Sequence, residues 1–185
     1  METDDIYFMR QALALAKEAA ERDEVPVGAV AVRDGVILSR ASNRREESRL
    51  ATHHAEILAI EEACRVLGGW RLPGVTLYVT MEPCAMCAGA IINARIPRVV
   101  YGTRDLRFGA FGSCIDLARV PLNHTPSITG GVLEEEARAL LQDYFRGKSR
   151  IRKKIFCRSR DTAVAGFHTL IFSLRAFFSE QVKNM

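Results

Sequence analysis

Apolar residues recur at helical spacing along the start of the chain and then switch to two-residue alternation, a pattern that predicts mixed helices and strands. Residues 4–21 carry a stripe of Ile6, Met9, Leu13 and Ala16, with Asp4 or Asp5 placed to cap the helix start. Val27–Arg33 and Val36–Ala41 read as strands joined by Asp34-Gly35, a dipeptide suited to a tight hairpin. Residues 54–67 predict a second helix, whose apolar face is Ile57, Leu58, Ile60, Ala63 and Cys64. Pro83 favours the start of a third helix, over about 84–95. Val75–Thr80 and Arg98–Tyr101 are short β-rich runs on either side of it, and Ser127–Thr129 adds a fifth strand. Leu133–Tyr144 is another amphipathic helix. This order predicts an α/β fold: a mixed five-stranded sheet with helices packed on both faces.

Composition narrows the class. A chain of 185 residues, 48% hydrophobic and 26% charged, suits one globular domain with a sizeable core. The acidic start, Met1-Glu2-Thr3-Asp4-Asp5, leads into an amphipathic helix and is no secretory signal. Five cysteines, two of them in one C-x-x-C, fit a reducing cytosol better than a disulfide scaffold, so a cytoplasmic location is expected. The net charge of +4 is uneven. Residues 146–160 hold eight Lys or Arg and no acid, whereas 1–145 is mildly acidic. Such a segment is either a solvated helix face or a surface for a polyanion. Phe167, Leu170, Ile171, Leu174 and Phe177 predict a further helix over 163–179, packing on the body or a partner or forming a loose extension. Arg175 and the shortness of that run argue against a membrane span.

The chemistry lies in His54-Ala55-Glu56 and Pro83-Cys84-Ala85-Met86-Cys87. Structural zinc sites are closed by four protein ligands, whereas catalytic ones leave a position for water. Three candidate ligands with a spare carboxylate therefore point to a metal-activated water with its own proton carrier. C-x-x-C alone also suits a redox pair or half of a structural zinc site; Cys64, Cys114 and Cys157 are isolated, so no second C-x-x-C completes the latter. Residues two apart on a helix point to nearly opposite sides, so His54 and Glu56 converge only if His54 lies at the helix entrance. Cys84 and Cys87 are expected on one face of a first helical turn, where free amides favour thiolates. His53 has no glutamate two residues on and reads as a lining residue; His124 and His168 lack ligand-like spacing.

Longer strings carry a resemblance. Glu24-Val25-Pro26-Val27-Gly28-Ala29-Val30, Asn43, the two metal motifs, Arg98-Val99-Val100-Tyr101-Gly102, Asp105, Gly109-Ala110-Phe111-Gly112-Ser113 and Asp143-Tyr144-Phe145-Arg146 resemble the bacterial tRNA-specific adenosine deaminases. That family sits within the cytidine-deaminase-like superfamily, and the likeness runs to about residue 154. It implies a three-layer α/β/α sandwich, a homodimer, and one zinc ion per subunit held by His54, Cys84 and Cys87. It implies hydrolytic deamination of adenosine to inosine at the tRNA wobble position, with Glu56 carrying protons. Asn43, Val25, Pro26, Val27 and Asp105 are the substrate-binding residues so implied. Turn formation at Asn43, strand packing at 25–27 and loop stabilisation by Asp105 are the plainer readings. Phe145, Arg146, Lys148, Arg150 and Arg152 would meet the anticodon stem-loop, and residues 155–185 form an extension the family does not explain. The alternative is a deaminase of free cytosine, cytidine or guanine using the same metal site.

Overall fold

The computed structural model describes residues 2–148. Arg150, Arg152 and the helix expected over 163–179 lie outside the described residues. The elements run α1 (Glu2–Glu21), β1 (Gly28–Arg33), β2 (Val36–Ser42), α2 (Arg45–Ser48), α3 (Ala55–Leu67), β3 (Val75–Met81), α4 (Ala85–Asn93), β4 (Arg98–Thr103) and β5 (Ser127–Gly130). A 3-10 turn at Leu117–Arg119 precedes β5, and residues 134–148 form a last helix, α5. By contacts the chain divides into two units after Tyr144.

The five strands form one sheet in the order β2-β1-β3-β4-β5. β1 pairs antiparallel with β2 and β3, while β3–β4 and β4–β5 are parallel, so the sheet is mixed as expected. Asp34 and Gly35 both take positive φ, 51° and 74°, as a two-residue hairpin requires. Alternation then divides the sheet between two cores. Ala29, Ala31, Leu77, Val79, Val99 and Tyr101 face α3 and α4. Val30, Val32, Tyr78 and Val100 face α1 and Ala137 of α5. Helices cover both faces, which gives three layers. Burial of each large apolar side chain contributes about 1.5–3 kcal/mol.

Helix boundaries and faces differ from the sequence reading in instructive ways. α1 buries Phe8, Met9, Ala12, Leu13, Ala16 and Ala19, whereas Ile6 is exposed, and the N-terminal turn is tied to the interior strands β3 and β4 by a polar contact instead. Asp5 does not cap: its carboxylate accepts two hydrogen bonds from Arg98, at 2.8 and 2.7 Å, and one from the Tyr78 hydroxyl at 2.8 Å. α3 buries Ala55, Ala59, Ile60 and Ala63. Small alanines let it sit close to the sheet, so Ile57 and Leu58 flank the contact rather than form it. Leu133, with φ of 55°, lies before α5, whose start is at 134. Gly28 is fixed by close approach: a Cβ there would overlap the Ala12 carbonyl oxygen and lie 2.8 Å from the Ala16 nitrogen.

Candidate active site

The end of β2, the start of β1 and the carboxyl ends of β3 and β4 lie together at one end of the sheet, the usual ligand-binding end of open α/β folds. Two helices begin there. His54 is the N-cap of α3 in extended conformation, so its ring and Glu56 in the first turn converge despite their two-residue spacing. Cys84 is the N-cap of α4, also extended, and precedes the first turn rather than sitting within it. α4 ends at Asn93, short of the expected 95, because Arg95 takes a left-handed φ of 60°.

His54 Nδ1 lies 3.7 Å from Cys84 Sγ and 3.5 Å from Cys87 Sγ. All three ligand atoms fall within 4.8 Å of one another, and among the described residues they are the one such metal-capable group. Glu56 is buried beside them, its Oε2 lacking any hydrogen-bond partner. Hydrogen bonding from Cys87, aided by His54, holds the Cys84 thiol down at about 4 against the opposing effect of burial. Cys87 is pushed up by Cys84 and by burial. The Cys84 sulfur raises the His54 imidazole, although burial opposes this. Burial raises Glu56. One imidazole, two sulfurs and an orphaned buried carboxylate oxygen fit a borderline-soft divalent cation with an open position.

The remaining expected site residues separate into several local roles. Asn43 is buried, and its side-chain oxygen accepts from the Ala55 N–H at 2.9 Å, fixing the start of α3. Its backbone N–H donates to Val27 O at 3.0 Å, which ties the second strand's exit to the first strand's start. Val27 packs in the same core cluster as Ala55, with Val25 at its margin; Pro26 is buried between them. Asp105 stabilises its own loop, its Oδ1 accepting from Arg107 N–H at 2.9 Å and its carbonyl from Gly109 N–H at 2.9 Å. His124 Nε2–H donates to Ile96 O, 2.7 Å away, a structural role. His53 is half-buried, with Nδ1 lacking a partner. Phe145, Arg146 and Lys148 are exposed.

Two buried carboxylates organise the site without touching its three ligand atoms. Glu82 Oε1 accepts from the Phe111 and Ser113 amides at 3.0 and 3.1 Å, and Oε2 accepts from Asp105 N–H at 3.2 Å and from the Ser113 hydroxyl. The loop after β4 is thereby folded onto Pro83-Cys84, where Ala110 N–H donates to Pro83 O at 2.9 Å and Gly109 pairs with Cys84. Gly109 has no room for a side chain, since a Cβ would lie 2.5 Å from both Asp105 O and Glu82 Oε2. Glu24, 1% exposed, accepts from Glu47 N–H at 2.9 Å and so holds α2. Sequence reading gave Glu24 no role; an acid directly before the buried run Pro26–Val32 was the available signal.

Comparison with known proteins agrees with this geometry. A family model of MafB19-like deaminases matches residues 3–147. The tRNA-specific adenosine deaminase of Bacillus subtilis is 46% identical over 153 residues, 82% of this chain and 93% of the relative. That of Agrobacterium fabrum is 48% identical over 143 residues, 77% of this chain and 94% of the relative. A solved structure from work on A-to-I editing by tRNA:A34 deaminases superposes with a TM-score of 0.71 at 48% identity, covering 73% of this chain and 99% of that one. A guanine deaminase from Nitrosomonas europaea superposes at 0.64 with 26% identity, covering 75% and 83%. The cytidine-deaminase-like sandwich and the identity over most of its length place this chain in the tRNA-specific adenosine deaminase family.

Proposed function

We propose that this protein hydrolytically deaminates adenosine to inosine at the wobble position of a tRNA anticodon. The observation that carries the reading is the buried Glu56 carboxylate beside His54, Cys84 and Cys87, in a chain nearly half identical to enzymes named for that activity. In this reading His54 Nδ1 and the two sulfurs hold one zinc ion per subunit. Zinc bound there supplies Lewis-acid activation of water for attack on the base. Glu56 Oε2 would accept one proton from that water and deliver it to a ring nitrogen, then carry the remaining proton from the new hydroxyl to the exocyclic amine, which leaves as ammonia. Burial raises Glu56, which favours uptake of the proton that water gives up, as the first half of that cycle needs. Asn43, its oxygen engaged by Ala55, has its amide N–H2 for a purine ring acceptor. Val25, Pro26 and Val27 support the wall of the base pocket, and Asp105 shapes the neighbouring loop.

The partner is an exposed anticodon loop, because the reacting carbon cannot be reached within a stack. Phe145, Arg146, Lys148, Arg150 and Arg152 belong to the basic segment that meets its phosphates. The working form is a cytoplasmic homodimer, with 1–154 as the catalytic domain and 155–185 an extension. Among the described residues no helix is long and apolar enough to cross a membrane. The test is incubation of zinc-loaded protein with an adenosine-wobble stem-loop, and separately with free guanine, cytosine and cytidine. Inosine in the RNA, lost in Glu56→Gln at unchanged zinc content, is the expected result. Product from a free base alone would transfer the site to the activity named for the guanine deaminase.

A further inference from the structure

The most exposed large apolar side chain among the described residues is Leu106, at 77%, and Phe108 follows at 64%. Both lie on the loop that Glu82 clamps against Cys84. A mobile surface loop would cost little by showing such residues to water, but this one is held at several points. Asp105 N–H and Phe111 N–H are bound to the buried Glu82 carboxylate, and Asp105 turns its own side chain and carbonyl onto Arg107 and Gly109. Gly109 joins the loop to Cys84 by a β-bridge. An exposed ring is therefore kept in a fixed place beside a zinc-ligand position.

The chemistry of the exposed face is specific. Between 104 and 108, Arg104, Leu106, Arg107 and Phe108 are exposed, and the single acid, Asp105, is buried. The Arg107 guanidinium sits 5.7 Å from the Phe108 ring centroid. Cations interleaved with a flat apolar ring match a chain of phosphates and bases better than they match a second protein surface of the same sign. We propose that the Arg104–Phe108 face is a stacking site for one base flanking the target nucleotide, with Phe108 as the platform and the arginines facing its phosphates. This inference rests on the RNA-editing reading and adds a residue that sets how the single strand is held. Phe108 is a binding residue here and takes no part in proton transfer.

Base–aromatic stacking predicts a defined loss. With zinc-loaded full chain and an adenosine-wobble stem-loop, Phe108→Ala should raise KM by about 5- to 150-fold while kcat changes little. Phe108→Tyr should restore KM, and the exposed position should leave thermal unfolding unchanged. The same variants are then assayed on stem-loops made abasic immediately before or immediately after the target. The penalty of Phe108→Ala should vanish on one of these two substrates and persist on the other. An unchanged KM for Phe108→Ala on intact RNA, with wild type active, would overturn the stacking site and leave the editing reading standing. An equal penalty on all three substrates together with a changed sedimentation coefficient would make the face a contact between protein copies, also overturning it. Failure of wild type to modify any stem-loop while deaminating a free base would remove the editing reading and this site with it.

Discussion

Glu82→Gln tests whether the loop after β4 is held by one carboxylate. The wild-type side chain is 3% exposed and accepts from three backbone amides and one hydroxyl. A glutamine whose oxygen takes the Oε1 position keeps Phe111 and Ser113 but turns an N–H2 toward the Asp105 N–H, where donor meets donor. The Ser113 hydroxyl can rotate to accept, so one amide is orphaned and two bonds lose their charge assistance. Bonds to charged acceptors contribute about 1.5–3 kcal/mol against about 1 kcal/mol for neutral ones, and an orphaned amide costs about 1–3 kcal/mol, which together put the cost at about 2–7 kcal/mol. For a body of this size that lowers Tm by about 4–28 °C. Circular dichroism melting at matched metal content reads the shift, and hydrogen exchange should speed up at the Asp105, Phe111 and Ser113 amides before it does so in the sheet. A melting point within about 2 °C of wild type, with those three amides exchanging as before, would show that the loop is held by something else.

Other perturbations reach different parts of the fold. Arg98, then Tyr78, holds the Asp5 carboxyl below its usual range against the effect of burial. That stability is fully present above the unfolded value of about 3.9 and is lost as pH falls through the lower folded value. Asp5→Asn should thus be less stable at neutral pH in urea unfolding, with the gap to wild type closing below about pH 4; a gap constant with pH would sink the ion-pair account. Gly28→Ala forces α1 away from β1 and should cost at least the roughly 1–3 kcal/mol of an overpacked core, lowering the urea midpoint. Asn43→Ala orphans the Ala55 amide at about 1–3 kcal/mol, whereas Asn43→Asp keeps the acceptor and should retain most of the stability. Equal losses in the two Asn43 variants would contradict the acceptor role.

The strands were legible because two-residue alternation survives burial on both faces: Ala29 and Ala31 look one way, Val30 and Val32 the other. Their ends moved by a residue or two where backbone pairing outran the apolar run, as at Met81 and Thr103. Helix faces were less legible. Spacing alone weights Ile57 and Leu58 over Ala55 and Ala59, yet contact distance to the sheet favours the smaller residues. α2 was invisible because its four residues, Arg45-Glu46-Glu47-Ser48, bury nothing and carry no apolar period. The His54–Glu56 spacing, by contrast, dictated its own geometry, since only an N-cap histidine lets the two converge.

What spacing could not reveal is how the segments around the candidate site are held in place. Asn43, Glu82 and Glu24 each use a buried oxygen to seize a backbone amide on another segment: Ala55, the 105–113 loop, and Glu47. Such a bond depends on where a distant amide ends up, so no local pattern encodes it. Each of the three also sits close to the candidate site: Asn43 bonded to Val27, Glu82 before Pro83-Cys84, Glu24 before Val25. Asn43 alone reads as a site residue and Glu82 as a scaffold carboxylate, and the contacts of all three make them the scaffold on which the site's geometry depends. A substitution at one of them should therefore displace a whole segment at once, so that loss of stability and loss of substrate affinity appear together. Glu56→Gln, at a carboxylate whose Oε2 seizes no amide, should instead remove turnover while stability and substrate affinity stay in place.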